Sequence, residues 1–192
     1  MKAKAVFLDR DGVINEERGY VHSPAEFSLL PRVVDSIGLL RSTGFKVVVV
    51  TNQAGVARGL FGLSEVDILH RHFQNSLAAE GEKVDAIYFC PHHPRGTVPE
   101  YTVHCNCRKP MPGLLLRAAR ELNLDLTSSY LVGDKLVDIQ AGIQAGVKRT
   151  FLVKTGHPLS SEAISYASYV VSGVHEAASA IIDLERERKN SR

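Results

Sequence analysis

Three apolar runs in this chain each break off at a polar, chemistry-bearing segment. Ala5-Val6-Phe7-Leu8 ends at Asp9-Arg10-Asp11-Gly12, and the run from Phe45 to Val50 ends at Thr51-Asn52-Gln53. Tyr130-Leu131-Val132 ends at Gly133-Asp134-Lys135, with Asp138 close behind, and Lys109 stands between the second break and the third. A short run that is apolar at every position reads as a strand covered on both faces, the habit of a parallel sheet. In open α/β sheets ligands bind outside the carboxyl ends of such strands. The same residues therefore constrain both the fold and the place of any chemistry. A lone D-x-D-G is a weak signal, because acidic turns are common, but the ordered set is specific.

Parallel strands need crossover helices, and the intervening segments supply them. Strands are expected at residues 4–8, 45–50, 86–89, 129–132, 149–153 and 169–171. Val33, Val34, Ile37, Leu39 and Leu40 follow helical spacing, with Gly44 as the stop. Ser64, with Asp67, reads as the N-cap of a helix that sends Val66, Leu69, Phe73 and Leu77 inward. Pro112 opens another helix, striped by Leu114, Leu115, Ala118, Ala119 and Leu122. Residues 135–145 read as a helix, 174–187 as an exposed amphipathic helix with a solvated charged face, and 185–192 as a charged, frayed tail. No internal repeat or linker interrupts this order. The expectation is one α/β domain over residues 1–192, a parallel sheet with helices on both faces.

Asp9 and Asp11 are two residues apart in an extended segment, so both can face one site. Asp9 could attack phosphorus as a nucleophile. Asp11 could protonate the leaving oxygen and then take a proton from water, a role worth about 10²–10⁴-fold. Crowded carboxylates require a cation, and Mg²⁺ with Asp134 as an added oxygen ligand fits that need. The Thr51 hydroxyl and the Lys109 ammonium suit the phosphoryl oxygens, where charge must be neutralised. An EF-hand is excluded, because its fifth position would be Val13 and a strand, not a helix, precedes the loop.

Cys90-Pro91-His92 and Cys105-Asn106-Cys107 frame twelve intervening residues. Three Cys and one His complete a tetrahedral zinc set with no open position, hence a structural site. His93 and His104 compete with His92 as the fourth ligand. Arg108 and Lys109 follow Cys107 directly, so zinc would anchor the backbone that presents two cations.

On these motifs the chain resembles the haloacid-dehalogenase-like phosphohydrolases. The resemblance implies a Rossmann-like core and an aspartyl-phosphate intermediate with Mg²⁺. Asp9 would be nucleophile and Asp11 general acid and base, binding the metal through its backbone carbonyl. Thr51 and Lys109 would stabilise the phosphoryl group, and Asp134 would be a metal ligand. The stretches F-L-D-R-D-G-V-I-N, R-G-Y-V, V-V-V-T-N-Q-A-G-V-A-R-G, C-P-H-H-P, C-x-C-R-K-P-x-P-G and V-G-D-K-x-x-D, spanning about residues 4–157, narrow it. They resemble the heptose-1,7-bisphosphate 7-phosphatase family within that superfamily. This implies a cytoplasmic, monomeric enzyme that removes a C7 phosphate in nucleotide-heptose synthesis, which feeds lipopolysaccharide core in some bacteria. Substrate contacts would come from Glu17, Arg18, Gly19, Tyr20, Thr51, Asn52, Gln53, Ala54, Arg108, Lys109 and Lys135. Arg108 suits a retained phosphate, since its planar fork matches phosphate geometry. Small Gly19 and Ala54 permit close backbone approach. Arg58 reads as ordinary surface charge. A histidinol-phosphate phosphatase shares the cysteine loop, usually with a shorter span, and polynucleotide 3′-phosphatases share T-N-Q-x-G-x-x-R-G. A non-catalytic phosphosugar-binding protein is the alternative of another class. No large cap is inserted between Thr51 and Lys109, and the anomer of the sugar is not legible.

Composition narrows the partners. In 192 residues the net charge is +2, too even for a dedicated nucleic-acid surface. The apolar start ends at Leu8, too short for a signal peptide, and no run approaches the roughly 20 residues of a membrane helix. An odd count of three cysteines suits a reduced compartment.

Overall fold

The computed structural model describes residues 2–190, with side chains through residue 188. The chain runs β1 (Ala5–Leu8), α1 (Val33–Ser42), β2 (Lys46–Asn52), α2 (Ala54–Ala57), α3 (Leu63–Ala79) and β3 (Ala86–Cys90). It continues α4 (Gly113–Glu121), β4 (Tyr130–Gly133), α5 (Leu136–Ala145), β5 (Arg149–Val153), α6 (Ser161–Tyr166), β6 (Tyr169–Val171) and α7 (Val174–Asn190). All six expected strands form. They pair in parallel in the order β3-β2-β1-β4-β5-β6. The order reverses between β1 and β4, and such a reversal opens a crevice above the strand ends.

The apolar runs bury both faces because alternate residues point oppositely. Val6, Leu8, Val47, Val49, Val132 and Phe151 pack under α1, α3 and α7. Ala5, Phe7, Val48, Val50 and Leu131 pack under α4 and α5. Each fully buried side chain of this size contributes about 1.5–3 kcal/mol relative to exposure, so the sheet carries much of the stability. No separate cap domain is inserted among the described residues. None of their helices is long and apolar enough to cross a membrane.

Several boundaries differ from expectation. Thr51 and Asn52 lie inside β2, because β3 extends alongside and pairs them with Phe89 and Cys90. Helix α3 begins at Leu63 with Gly62 as N-cap. The Glu65 carboxylate accepts from Gly62 N (3.1 Å) and Ser64 Oγ (2.7 Å), so Ser64 sits in the first turn rather than capping it. Pro112 is the N-cap of α4 and Leu122 its C-cap. The short helices α2 and α6 carry too few residues to show a period.

Helix α7 is the largest correction. It is not an exposed helix: Val174, Ala177, Ala178, Ile181 and Ile182 are buried, and the helix covers one face of the sheet. Nor does the tail fray at Glu185, although residues 191 and 192 lie outside the described residues. Glu185 is buried and accepts from Lys148 Nζ (2.7 Å), Tyr130 Oη (2.9 Å) and Lys4 Nζ (3.0 Å). Burial opposes its charge, but these donors outweigh it and draw its pKa down to about 2.

Candidate active site

Asp9 follows the last residue of β1, Thr51 is the penultimate residue of β2, and Asp134 follows the last residue of β4. They meet beside the topological reversal, where Asp9 and Thr51 line a cleft of about 320 Å³ and a carboxylate oxygen of Asp134 lies within 4.8 Å of one on Asp9. Asp9 N–H donates to Val132 O (3.0 Å), which ties the first acidic segment to the end of β4. The fold thus delivers the three breaks in the sequence to one place.

Lys109 enters this cluster from the cysteine loop and is only 2% exposed. Its Nζ lies 2.9 Å from Asp9 Oδ1 and 2.6 Å from Asp138 Oδ1, and it donates to Val50 O (2.7 Å). All three ammonium protons are therefore committed. Burial works against this cation, but Asp138 and Asp9 outweigh it and hold its pKa above the ordinary lysine value. Asn52 fixes the Lys109 backbone from both sides. Its Oδ1 accepts the Lys109 N–H (3.0 Å) and its Nδ2 donates to the Lys109 carbonyl (3.1 Å). Asp138 accepts from Lys135 N through Oδ2 (3.0 Å), so both its oxygens are engaged. Burial pushes its pKa up to about 7, against the pull of Lys109 and with the help of Asp9 and Asp134.

Asp134 differs in one oxygen. Oδ2 accepts from His157 N–H (3.1 Å) and lies 2.8 Å from His157 Nδ1. Oδ1 is buried with no partner. Buried polar atoms are rarely left so, and a bound ion is a standard reason. Burial, and then the Asp9 charge, raise the Asp134 pKa, and a cation would relieve both. Carboxylate oxygens of Asp9, Asp134 and Asp138 lie within 4.8 Å of one another. With Asp138 committed to Lys109 and Lys135, Asp9 and the free Asp134 oxygen are the acidic donors that fit a hard divalent ion. Gly12 makes the approach possible. At φ +83° it takes a left-handed turn, and a Cβ there would fall 2.6 Å from Asp134 Oδ2.

The Asp11 carboxylate is occupied elsewhere. It accepts from Arg10 Nη2 at both oxygens (3.0 Å each), from Asn15 Nδ2 at Oδ1 (3.0 Å) and from Gln53 Nε2 at Oδ2 (3.2 Å). Gln53 Nε2 also donates to Thr51 Oγ1 (2.9 Å). Only the main-chain oxygen of Asp11 remains for a metal.

Glu17, Gly19, Tyr20, Thr51, Asn52, Gln53, Ala54, Arg108, Lys109 and Lys135 all line the cleft. Arg18 does not; it is exposed and pairs with Glu16. Burial lowers the pKa of Arg108, whose Nη1 donates to His92 O (3.3 Å). Three polar lining residues were missed, beside the apolar Val137. Arg58 faces the cleft with its guanidinium 5.5 Å from the Tyr20 ring centre. Asp138 was noticed in the sequence but given no part in the site. His157 lies past β5, where the strand-end rule could have found it.

The cysteine loop gathers a second donor set. Cys107 Sγ lies 3.2 Å from Cys90 Sγ, 3.3 Å from Cys105 Sγ and 3.3 Å from His92 Nδ1. Cys90 Sγ lies 3.6 Å from Cys105 Sγ and 3.7 Å from His92 Nδ1. A tetrahedral zinc with Zn–S near 2.3 Å places sulfurs about 3.8 Å apart, so the set could hold zinc with little adjustment. The Cys90 thiol draws the Cys107 pKa down to about 5, which favours a thiolate there. Among the competing histidines, His93 Nδ1 accepts from Arg95 N (3.1 Å) and His104 is exposed, so His92 completes the four.

Comparison with known proteins agrees with this geometry. The family model Hydrolase_like, described as “HAD-hyrolase-like”, matches residues 106–177. The D-glycero-beta-D-manno-heptose-1,7-bisphosphate 7-phosphatase of Yersinia pestis is 45% identical over 177 residues, covering 92% of this chain and 94% of that protein. Its counterpart from Escherichia coli K12 is 45% identical over the same length, covering 92% and 93%. The crystal structure of D,D-heptose 1,7-bisphosphate phosphatase from B. bronchiseptica, complexed with magnesium and phosphate, superposes with a TM-score of 0.80. It shares 35% identity, covering 94% of this chain and 98% of that one.

Proposed function

The chain belongs to the heptose-1,7-bisphosphate 7-phosphatase family of HAD-like hydrolases, and from that premise we propose that it removes the C7 phosphate of D-glycero-β-D-manno-heptose 1,7-bisphosphate through an aspartyl-phosphate on Asp9. The β anomer is taken from the names of the relatives. The observation that carries the reading is the cleft itself. A buried carboxylate pinned by Lys109 stands beside a partnerless Asp134 oxygen, under a rim carrying Arg58, Arg108 and Lys135.

The Asp9 carboxylate attacks phosphorus, and the bond from phosphorus to the C7 oxygen breaks. The electron pair stays on that oxygen, which takes a proton from Asp11. Water then attacks the phosphorus of the aspartyl-phosphate, Asp11 takes the water proton, and inorganic phosphate leaves Asp9. Lys109 and the Thr51 hydroxyl neutralise the equatorial oxygens, and Asn52 keeps Lys109 in reach. Mg²⁺, held by Asp9, Asp134 and the main-chain oxygen of Asp11, supplies further charge neutralisation when bound. Arg108, Arg58 and Lys135 receive the phosphate that stays on the sugar, with Glu17, Gly19, Tyr20, Gln53 and Ala54 shaping the path between. Zinc in the cysteine set serves the fold rather than the chemistry, because four protein donors leave no open position. The enzyme acts as a cytoplasmic monomer in nucleotide-heptose synthesis.

Phosphate release with Mg²⁺ should be measured on both heptose 1,7-bisphosphate anomers, fructose 1,6-bisphosphate and histidinol phosphate. The highest kcat/KM is expected for the β heptose substrate, with loss of the C7 phosphate. Preference for histidinol phosphate would move the same mechanism to another substrate and overturn the assignment.

A further inference from the structure

Arg10 is the largest fully buried side chain among the described residues, 1% exposed. A buried guanidinium persists only where its donors are satisfied, and here they are. Nε donates to Asp11 Oδ1 (3.1 Å) and Nη2 to both Asp11 oxygens (3.0 Å). Nη2 also donates to Val21 O (2.7 Å), at the end of the 17–20 loop that lines the cleft. Nη1 lies 3.4 Å from His70 Nε2 on α3. His70 is itself buried and packs edge-on against Phe89, with ring centres 5.6 Å apart. Burial, and then the Arg10 charge, hold its pKa down to about 3, so His70 is a neutral acceptor.

The arrangement is one-sided. Arg10 is sealed from solvent, whereas the Asp11 side chain keeps 17% exposure and faces the cleft. A pair that served only packing would bury both partners. A planar fork sets the plane of a carboxylate, which a lysine point charge cannot do.

We infer that Arg10 is a positioning residue: anchored by His70 and Val21, its guanidinium sets the plane and reach of the Asp11 carboxyl group towards the leaving oxygen and ties that aim to the 17–20 loop at the cleft rim. The inference rests on the acid and base role given to Asp11 above. It adds a residue whose side chain touches neither substrate nor metal and acts through Asp11, while its main-chain N–H, which a substitution retains, donates to Asp9 Oδ1 (2.8 Å).

The test uses leaving groups. An alkyl oxygen must be protonated as it departs, whereas p-nitrophenolate leaves unaided. Because kcat/KM reports the steps through departure, the two substrate types separate the role of Asp11 from general damage. Arg10→Lys is expected to lower kcat/KM at least about 10²-fold on heptose 1,7-bisphosphate and less than about 5-fold on p-nitrophenyl phosphate. Adding Arg10→Lys to Asp11→Asn should cost nothing further, because residues acting as a unit are not additive. Equal losses on the two substrates, an additive double variant, or no loss on the alkyl substrate would each overturn the inference. If Arg10→Lys fails to fold by circular dichroism, His70→Leu decides by the same ratio. It loosens only the far end of the guanidinium and should cost about 10-fold on the alkyl substrate alone. If the wild-type chain ignores heptose 1,7-bisphosphate, the substrate assignment has failed. The leaving-group ratio is then read with the best alkyl monoester.

Discussion

Among the metal-capable donor groups of the described residues, the cysteine set and the Asp9, Asp134 and Asp138 set are joined by a single tripeptide and built on opposite plans. The cysteine cluster turns four donors on one another, with donor separations of 3.2–3.7 Å around Cys107 and Cys90. The acidic cluster sets Asp9, Asp134 and Asp138 around Lys109 and leaves one buried Asp134 oxygen unpartnered beside a cleft. Residues 107 to 109 run from the first into the second. The lesson is a division of labour. A closed donor set holds a loop that has little core of its own, and an open one keeps coordination and charge available for a reaction.

The sharpest break in this comparison is Asp9→Asn. Turnover is expected to fall at least about 10³-fold, as losses of catalytic nucleophiles do, while the far-ultraviolet spectrum stays that of the wild type. A variant that kept most of its activity would remove Asp9 from the chemistry. Next is Cys107→Ser, or zinc removal confirmed by metal analysis. Structural zinc is worth on the order of 10 kcal/mol, so a fall in melting temperature of several degrees or more is expected. Activity should fall with it as Arg108 and Lys109 lose their anchor. Full activity after verified zinc loss would show that the clusters are independent. Brief chelation should instead abolish turnover until Mg²⁺ is added back, and leave the melting temperature nearly unchanged.

His157→Ala probes the open cluster more gently. His157 contacts Asp134 Oδ2, the oxygen opposite the unpartnered one. Losing such a supporting contact should raise the Mg²⁺ concentration for half-maximal activity about 10-fold, with a smaller effect on stability. No change in the titration would free Asp134 from His157.

The smallest effect should come from Glu185, a closed polar cluster that needs no metal. Its pKa is depressed from 4.5 to about 2, so its carboxylate stabilises the fold above the unfolded value. That contribution is lost as pH falls from about 4.5 towards about 2. Glu185→Gln should cost about 1–3 kcal/mol near neutral pH and flatten the acid limb of stability against pH. An unchanged acid limb would show that the native ion pairs do not matter.

Much of this was legible because strand and ligand share one sequence signal. Ala5–Leu8 and Val47–Val50 could hardly be anything but doubly covered strands, and Asp9 and Thr51 stand at their ends. The cysteine spacing gave the donor set, although it could not choose His92 over His93 or His104. Helix α7 was misjudged because its stripe of Ala177, Ala178, Ile181 and Ile182 is modest and its ends are charged. Only the sheet beneath it explains why Glu185 is buried. Arg58 looked like surface charge, since nothing local says that it turns towards Tyr20 and the cleft.

The sequence alone determined the parallel sheet, the order of the acidic, hydroxyl and basic segments, and the four-ligand loop. These follow from local chemistry, namely apolar runs, turn residues and donor spacing. Tertiary structure decided which carboxylate serves which partner. Asp138 is committed to Lys109 and Lys135, Asp11 to Arg10, and Asp134 keeps a buried oxygen with neither a hydrogen-bond donor nor an ion-pair partner. Contacts around the same site reach across the chain, as where Thr155 Oγ1 donates to the Gly12 carbonyl 143 positions away. Burial sets the carboxylate pairings, because charges removed from water must find partners wherever the packed sheet brings them.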